Sequence, residues 1–272
     1  MAERRGTRTA RAGAIVLGAL GTAALVVPWA AGLDPAAVDL AARLEPPSGA
    51  HPLGRDALGR DVLARLCIGA RVSLAVAGAA VALSAAIGTI VGAWAGWRGG
   101  WVDVIFARVI DVFLAFPGLL LAIALAGVLG PSHRNVVLAL AALGWTSYAR
   151  LARAHVAAAR RREYVDAARA LGSREATIVA RHVLPAAGPI LLVQAAFGLS
   201  GAVLAEASLS FLGLGAPPPA PSWGAMLDEG RLFMFVAPHA VIAPAAALAG
   251  TVLALQLLGD GLRDLLALDG QR

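Results

Sequence analysis

Three places in this chain put charge where transport or chemistry would use it. Glu206 directly follows an uncharged run, 183–205, and acids within apolar segments usually serve a function. Arg108 and Asp111 stand three apart, so on a helix they share a face, as a gate or as a structural pair. The stretch 164–185, YVDAARALGSREATIVARHVLP, is dotted with arginines, holds a glycine at its middle and closes on a proline. Covalent catalysis finds no comparable footing. All 23 basic residues are arginine, so the lysine that a Walker A loop sets on nucleotide phosphates is missing, and ATP can act only through a partner. His51, His133, His155, His182 and His239 are scattered, with no HExxH pair and no GxSxG elbow. The single Cys67 excludes an internal disulfide and a multi-cysteine metal site. It reads as a small buried apolar residue, and His239 beside Pro238 reads as a helix cap. No catalytic residue, metal or cofactor is assigned to the chain, and no nucleic-acid partner is expected.

The elements that must hold these residues are membrane helices. The chain is 59% hydrophobic and 15% charged with a mean hydropathy of +0.74. Soluble domains carry about a quarter charged residues, so that class is excluded. Uncharged runs long enough to cross about 30 Å of hydrocarbon occur at 13–33, 72–97, 112–132, 183–205 and 232–259. A sixth, 135–149, is shorter and reaches further if Arg150 and Arg153 snorkel. Arg4, Arg5, Arg8 and Arg11 precede a first run too long for a signal-peptide core, which predicts an uncleaved helix. Pro117 is expected to kink the third span. The uncharged stretch 207–227 carries Pro217, Pro218, Pro219 and Pro221 and reads as a re-entrant or outer loop. Small residues such as Gly78, Ala79, Ala80, Gly88 and Gly92 predict closely packed helices.

Charge sets the orientation. Four arginines precede the first span, and 150–185 holds eight arginines against Glu163, Asp166 and Glu175. The 34–71 loop balances five arginines against five acids. The expected fold is an all-α integral membrane protein with six transmembrane helices, both termini and 150–185 cytosolic, and 34–71 and 206–237 external. It divides into 1–71, with the first span and an external loop, and 72–272, a five-span core.

Within the cytosolic stretch, Tyr164, Ala167, Ala168 and Leu171 recur at i, i+3, i+4 and i+7, one stripe of an amphipathic helix. Gly172 stands where a C′ glycine ends a helix, and Ser173 is placed to cap a second one, ended by Pro185. Ala176, Val179 and Val183 form one stripe of that helix, and Arg174, Thr177 and Arg181 another. Such a pair either lies on the membrane interface or docks a soluble partner. Arg160, Arg161 and Arg162 beside it suit acidic lipid or simple topology charge.

The stretch resembles the EAA loop of ABC-importer permeases: Asp166-Ala167-Ala168, Gly172 and Leu184-Pro185 stand at the loop's spacing. Asp166 replaces the commoner glutamate, which shortens its reach. Residues 51–74, 111–125, 206–227 and 257–264 further resemble the C-type permease subunit of dipeptide, oligopeptide and nickel importers, with Arg55 for the usual threonine and Gln256 for the usual asparagine. The likeness runs from about residue 10 to 264. It implies a bacterial inner-membrane permease whose core is 72–272, paired with a second homologous permease and set in membrane lipid. Two ATPase subunits holding ATP and magnesium would lie below, and an external binding protein would deliver a dipeptide or oligopeptide. It also implies that Tyr164, Asp166, Ala167, Ala168, Gly172, Ser173, Arg174, Arg181, Leu184 and Pro185 couple to the ATPase, while Glu206, Arg108 and Asp111 are candidates for the translocation path. Nickel or another small solute is the alternative cargo, and a membrane enzyme or lipid-binding protein the alternative class.

Overall fold

Apolar length decides most of the architecture. A computed structural model describes residues 2–30 and 34–269, with side-chain surroundings for 6–27 and 34–266. The side chains of Arg4 and Arg5, and residues 31–33 at the end of the first apolar run, lie outside these. Among the described residues the chain is helical with no strand: α1 (Ala2–Ala30), α2 (Val62–Arg98), α3 (Gly100–Ala115), α4 (Gly118–Leu129), α5 (His133–Ala159), α6 (Glu163–Ala170), α7 (Glu175–Ile178), a π-helical segment Val179–Val183, α8 (Leu184–Phe211), α9 (Trp223–Arg231) and α10 (His239–Asp269). Four stretches are long and apolar enough to cross a membrane: Gly6–Val27, Val62–Arg98, Glu175–Phe211 and His239–Leu266. The α3–α4 pair makes a fifth if taken as one broken span. α5 covers the run 135–149 and is 27 residues long, but Arg134, Arg150 and Arg153 keep it out of that apolar set.

Several local expectations change. Pro117 does more than kink its helix. Phe116 is pushed to an extended conformation, as the residue before proline tends to be, and the axis turns by 86° between α3 and α4. α2 starts well before its apolar run because the Asp61 carboxylate caps it, accepting from the Ala64 N–H at 2.7 Å. The division at residue 71 therefore falls inside a helix. Pro185 does not end the helix that follows Ser173 either. The π-helical turn just before it widens the backbone where the proline supplies no N–H, and the helix runs on into α8. Residues 207–227 are not all loop: α8 persists to Phe211, and α9 begins at Trp223.

The central seam is α2 against α5. Gly88, Gly92 and Gly96 lie one turn apart on α2, and a Cβ on each would meet the backbone of Trp145, Ala149 and Arg153 on α5. Small residues at this spacing let two helix backbones touch, the packing available where no hydrophobic effect drives helices together. The α1–α10 seam repeats the device, with Gly13 against Ala254 and Leu258 and Gly261 against Ala10. Arg153 extends the α5 seam toward the 150–185 end by pairing with Asp103 of α3.

Candidate functional site

The 150–185 region rests on a small core of its own. Val165, Ile178 and Val183 are fully buried and pack with Val156 and Ala159 of α5 and Ala93 of α2, with Trp97, Ala168 and Leu184 alongside. This is a different stripe from the one read in the sequence. Val165 and Ala168 face inward, while Tyr164, Ala167 and Leu171 face out, Leu171 with 86% of its surface exposed. Both faces of this short helix keep helical spacing, and the surface that α5 and α7 offer to Val165 decides between them. Arg174 and Arg181 are exposed beyond the turn, and Pro185 is exposed at the start of α8.

Gly172 behaves as its spacing suggests. It holds φ +80°, its N–H donates to Arg169 O at 2.9 Å, and the Ser173 N–H donates to Ala168 O at 3.1 Å. This is a Schellman closure of α6. Ser173 is therefore not the cap of the next helix. Its backbone finishes α6, and Arg174 stands at the N-cap of α7 without a side-chain bond. Asp166 accepts from Arg169 at 3.0 Å, and Arg169 also donates to both Glu175 oxygens, at 2.9 and 3.3 Å. The Arg169 guanidinium lies 5.4 Å above the Trp97 ring, so one arginine ties α6, α7 and the end of α2. The short reach of Asp166 is thereby used locally.

Between α2, α4, α5 and α8 lies a cavity of about 320 Å³. Its wall is mainly apolar, from Ala80, Leu119, Ala122 and Leu143 to Gly198 and Ala202, with Ser84, Thr146, Ser147, Tyr148 and Gln194 as polar points. Such a wall suits a solute held by a few hydrogen bonds. None of the acids and arginines singled out in the sequence lines it. Glu206 is fully buried one turn before Ser210, whose hydroxyl donates to its Oε1 at 2.7 Å, while Oε2 meets no donor among the described residues. Arg108 and Asp111 are exposed on α3, 3.7 Å apart.

At the head of α2 an ion-pair cluster joins segments that no spacing in the sequence connects. Arg60 pairs with Asp56 and Glu229, and the buried Arg65 pairs with the same two acids, 3.3 Å from Asp56 and 2.9 Å from Glu229. Two arginines facing two acids clamp the 34–61 segment and α9 onto the head of α2. Trp223 completes the clamp, donating from Nε1 to Leu66 O at 3.1 Å. Arg55 reinforces it through Asp39 at 3.0 Å, and His239 at the start of α10 meets the Arg55 carbonyl at 3.1 Å. Removing one partner of a buried ion pair strands the others, typically at 3–5 kcal/mol. Arg65→Met should therefore destabilise the chain by about 3 kcal/mol, read as a lower melting temperature in detergent. An unchanged melting point would show that the clamp contributes nothing net.

A helical membrane bundle with a small-residue seam, an internal cavity and a short helix pair docked at one end suits a solute permease, and comparison with known proteins says which kind. The chain belongs to the binding-protein-dependent transport system inner membrane components, whose family model matches residues 88–268. It is thus a permease subunit of an ABC importer, a multi-pass protein of the bacterial inner membrane, and the family is a transport component without catalysis of its own. It is 46% identical over 222 residues to the glutathione transport system permease protein GsiD of Pectobacterium atrosepticum, covering 82% of this chain and 74% of that one. Against the GsiD proteins of Escherichia coli O6:K15:H31 and Shigella dysenteriae serotype 1 it is 43% and 42% identical over 220 residues, covering 81% of this chain and 73% of each of theirs.

Proposed function

We propose that this chain forms half of the path of an importer for short peptides and is driven through residues 163–185. The carrying observation is the pairing of a buried base, Val165, Ile178 and Val183, with an outward crown of Tyr164, Ala167, Leu171, Arg174 and Arg181. A rigidly seated surface with unpartnered apolar side chains passes a push inward only if another protein covers it. In this reading that protein is one of two ATPase subunits, which bind ATP and magnesium. A second homologous permease completes the path and an external binding protein loads it. α5 counts as a span despite its arginines, which makes six spans with cytosolic termini. Arg108 and Asp111 join the path where the second permease meets α3, and Glu206 serves it by fixing the outer end of α8.

The relatives are named for glutathione, a small peptide, and the cavity, about 320 Å³ with a few hydrogen-bonding side chains, has the size for a small solute. Uptake by the transporter reconstituted with its co-encoded partners tests the reading. Labelled glutathione or dipeptide should accumulate with ATP, compete with unlabelled short peptides and ignore nickel. Nickel accumulation that peptides do not affect would replace the cargo assignment.

A further inference from the structure

Two of the scattered histidines of the sequence, His155 and His182, meet in one place. His155 near the end of α5, Arg162 in the α5–α6 turn, Tyr164 on α6 and His182 in the π-helical segment line an open pocket of about 240 Å³ together with Ala158, Ala159 and Ala186, with Arg162, Tyr164 and His182 exposed at its mouth. That is several times the volume of a water molecule, about 30 Å³. Every polar side chain lining it can donate a hydrogen bond, and none is a carboxylate. Among the described residues, the side chains of Arg162, His155 and His182 show no hydrogen bond or ion pair, whereas the neighbouring Arg160 donates to Arg98 O at 3.1 Å and Arg169 to two acids. Burial, and the Arg162 charge beside it, hold His155 below the ordinary imidazole range. A bound anion would offset both causes.

We infer that this cavity binds a phosphate group, as the headgroup of an anionic phospholipid or as free phosphate. A fork-shaped guanidinium with two ring N–H groups and a phenol is a donor set that suits a tetrahedral oxyanion. The place fits a lipid headgroup: the pocket lies on the polar end of α5 beyond its apolar run and beside the start of α8, on the side that carries the excess of arginine, and cytoplasmic leaflets are anionic. The inference rests on the permease reading only in setting this side in the cytosol. An occupant would bridge α5 and α6 to the π-helical segment, and so stiffen the helix pair that we assign to the ATPase contact.

The intact transporter in nanodiscs provides the test. With phosphatidylglycerol present, native mass spectrometry should find the phospholipid retained by the wild type. Retention should fall about tenfold, a change of roughly 1.4 kcal/mol, in Arg162→Gln and in His155→Gln/His182→Gln. Arg161→Gln, which removes equal charge from outside the cavity, should retain it. In pure phosphatidylcholine discs, millimolar inorganic phosphate that raises the melting temperature of the wild type but not of Arg162→Gln would support the site with free phosphate as its occupant. Equal loss in Arg161→Gln would reduce the effect to diffuse charge and overturn the site, as would no difference in either arm. So would Arg162→Gln losing only its ATPase, which would hand the cavity to a partner protein. Peptide uptake is read separately, so failure of the transport reading leaves a distinct signature.

Discussion

Leu171→Asp is expected to abolish ATP-driven uptake while leaving the chain folded and abundant in the membrane. Leu171 ends the outward stripe of α6 with 86% of its surface open, so its replacement disturbs no packing within the chain. In the cleft of an ATPase the same side chain would be buried, and a buried leucine contributes about 1.5–3 kcal/mol. An aspartate there adds an unpaired charge to the loss. Central interface positions of this kind cost upward of about 2 kcal/mol when altered, roughly a thirtyfold loss of affinity. Uptake and ATPase co-purification should both collapse, and the melting temperature of the isolated chain should hold. Val165→Asp is the contrast: it is fully buried against Val156 and Ile178, so it should lower the melting temperature itself. If Leu171→Asp transports and co-purifies normally, this face does not meet the ATPase.

How much of this was legible in the sequence follows from which physical signals act locally. Uncharged length is local, so the all-helical class and most of the long apolar helices could be read directly, though not where α2 begins. Gly172 was legible because a positive φ at a helix end is a property of a few residues. The inward face of α6 was not, since Tyr164, Ala167 and Leu171 keep helical spacing as well as Val165 and Ala168 do, and only the partner surface on α5 and α7 chooses between them. Ser173 was misassigned for a related reason: a serine can cap the next helix, but its backbone was needed to close the last one. The break at Pro117 was placed correctly and undersized, because a proline fixes where a helix fails and the packing of α4 fixes the angle. The clamp of Arg60, Arg65, Asp56 and Glu229 joins residues more than 160 positions apart, and no spacing rule reaches that far. His155 and His182 likewise meet only because the helix pair folds back on α5.

Gly92→Leu should produce a large stability loss. A Cβ at Gly92 would run into the carbonyl oxygen, Cα and carbonyl carbon of Ala149. Backbone cannot rotate away as a side chain can, so the two helices must separate. Gly88 and Gly96 press on the same partner one turn to either side, so separation at Gly92 opens the whole seam. In a bilayer this is severe, because water no longer drives the helices together and close contact is what remains. Overpacking a well-filled core costs about 1–3 kcal/mol, and a helix-wide displacement should exceed that range. Even Gly92→Ala should lower the melting temperature, since the first carbon already collides. Gly78→Leu on the same helix is the control: a Cβ there meets no atom within 4 Å, and that variant should accumulate normally. Equal stability of Gly78→Leu and Gly92→Leu would remove the α2–α5 seam as the spine of the fold. The functional consequence follows from where the seam ends. Ala93 and Val156 belong to the core beneath α6, so a milder opening, as in Gly96→Ala, should leave a folded permease whose cytosolic helices sit loosely. Such a variant should bind its ATPase yet import less cargo per ATP, which transport and hydrolysis measured on the same proteoliposomes would separate from simple misfolding.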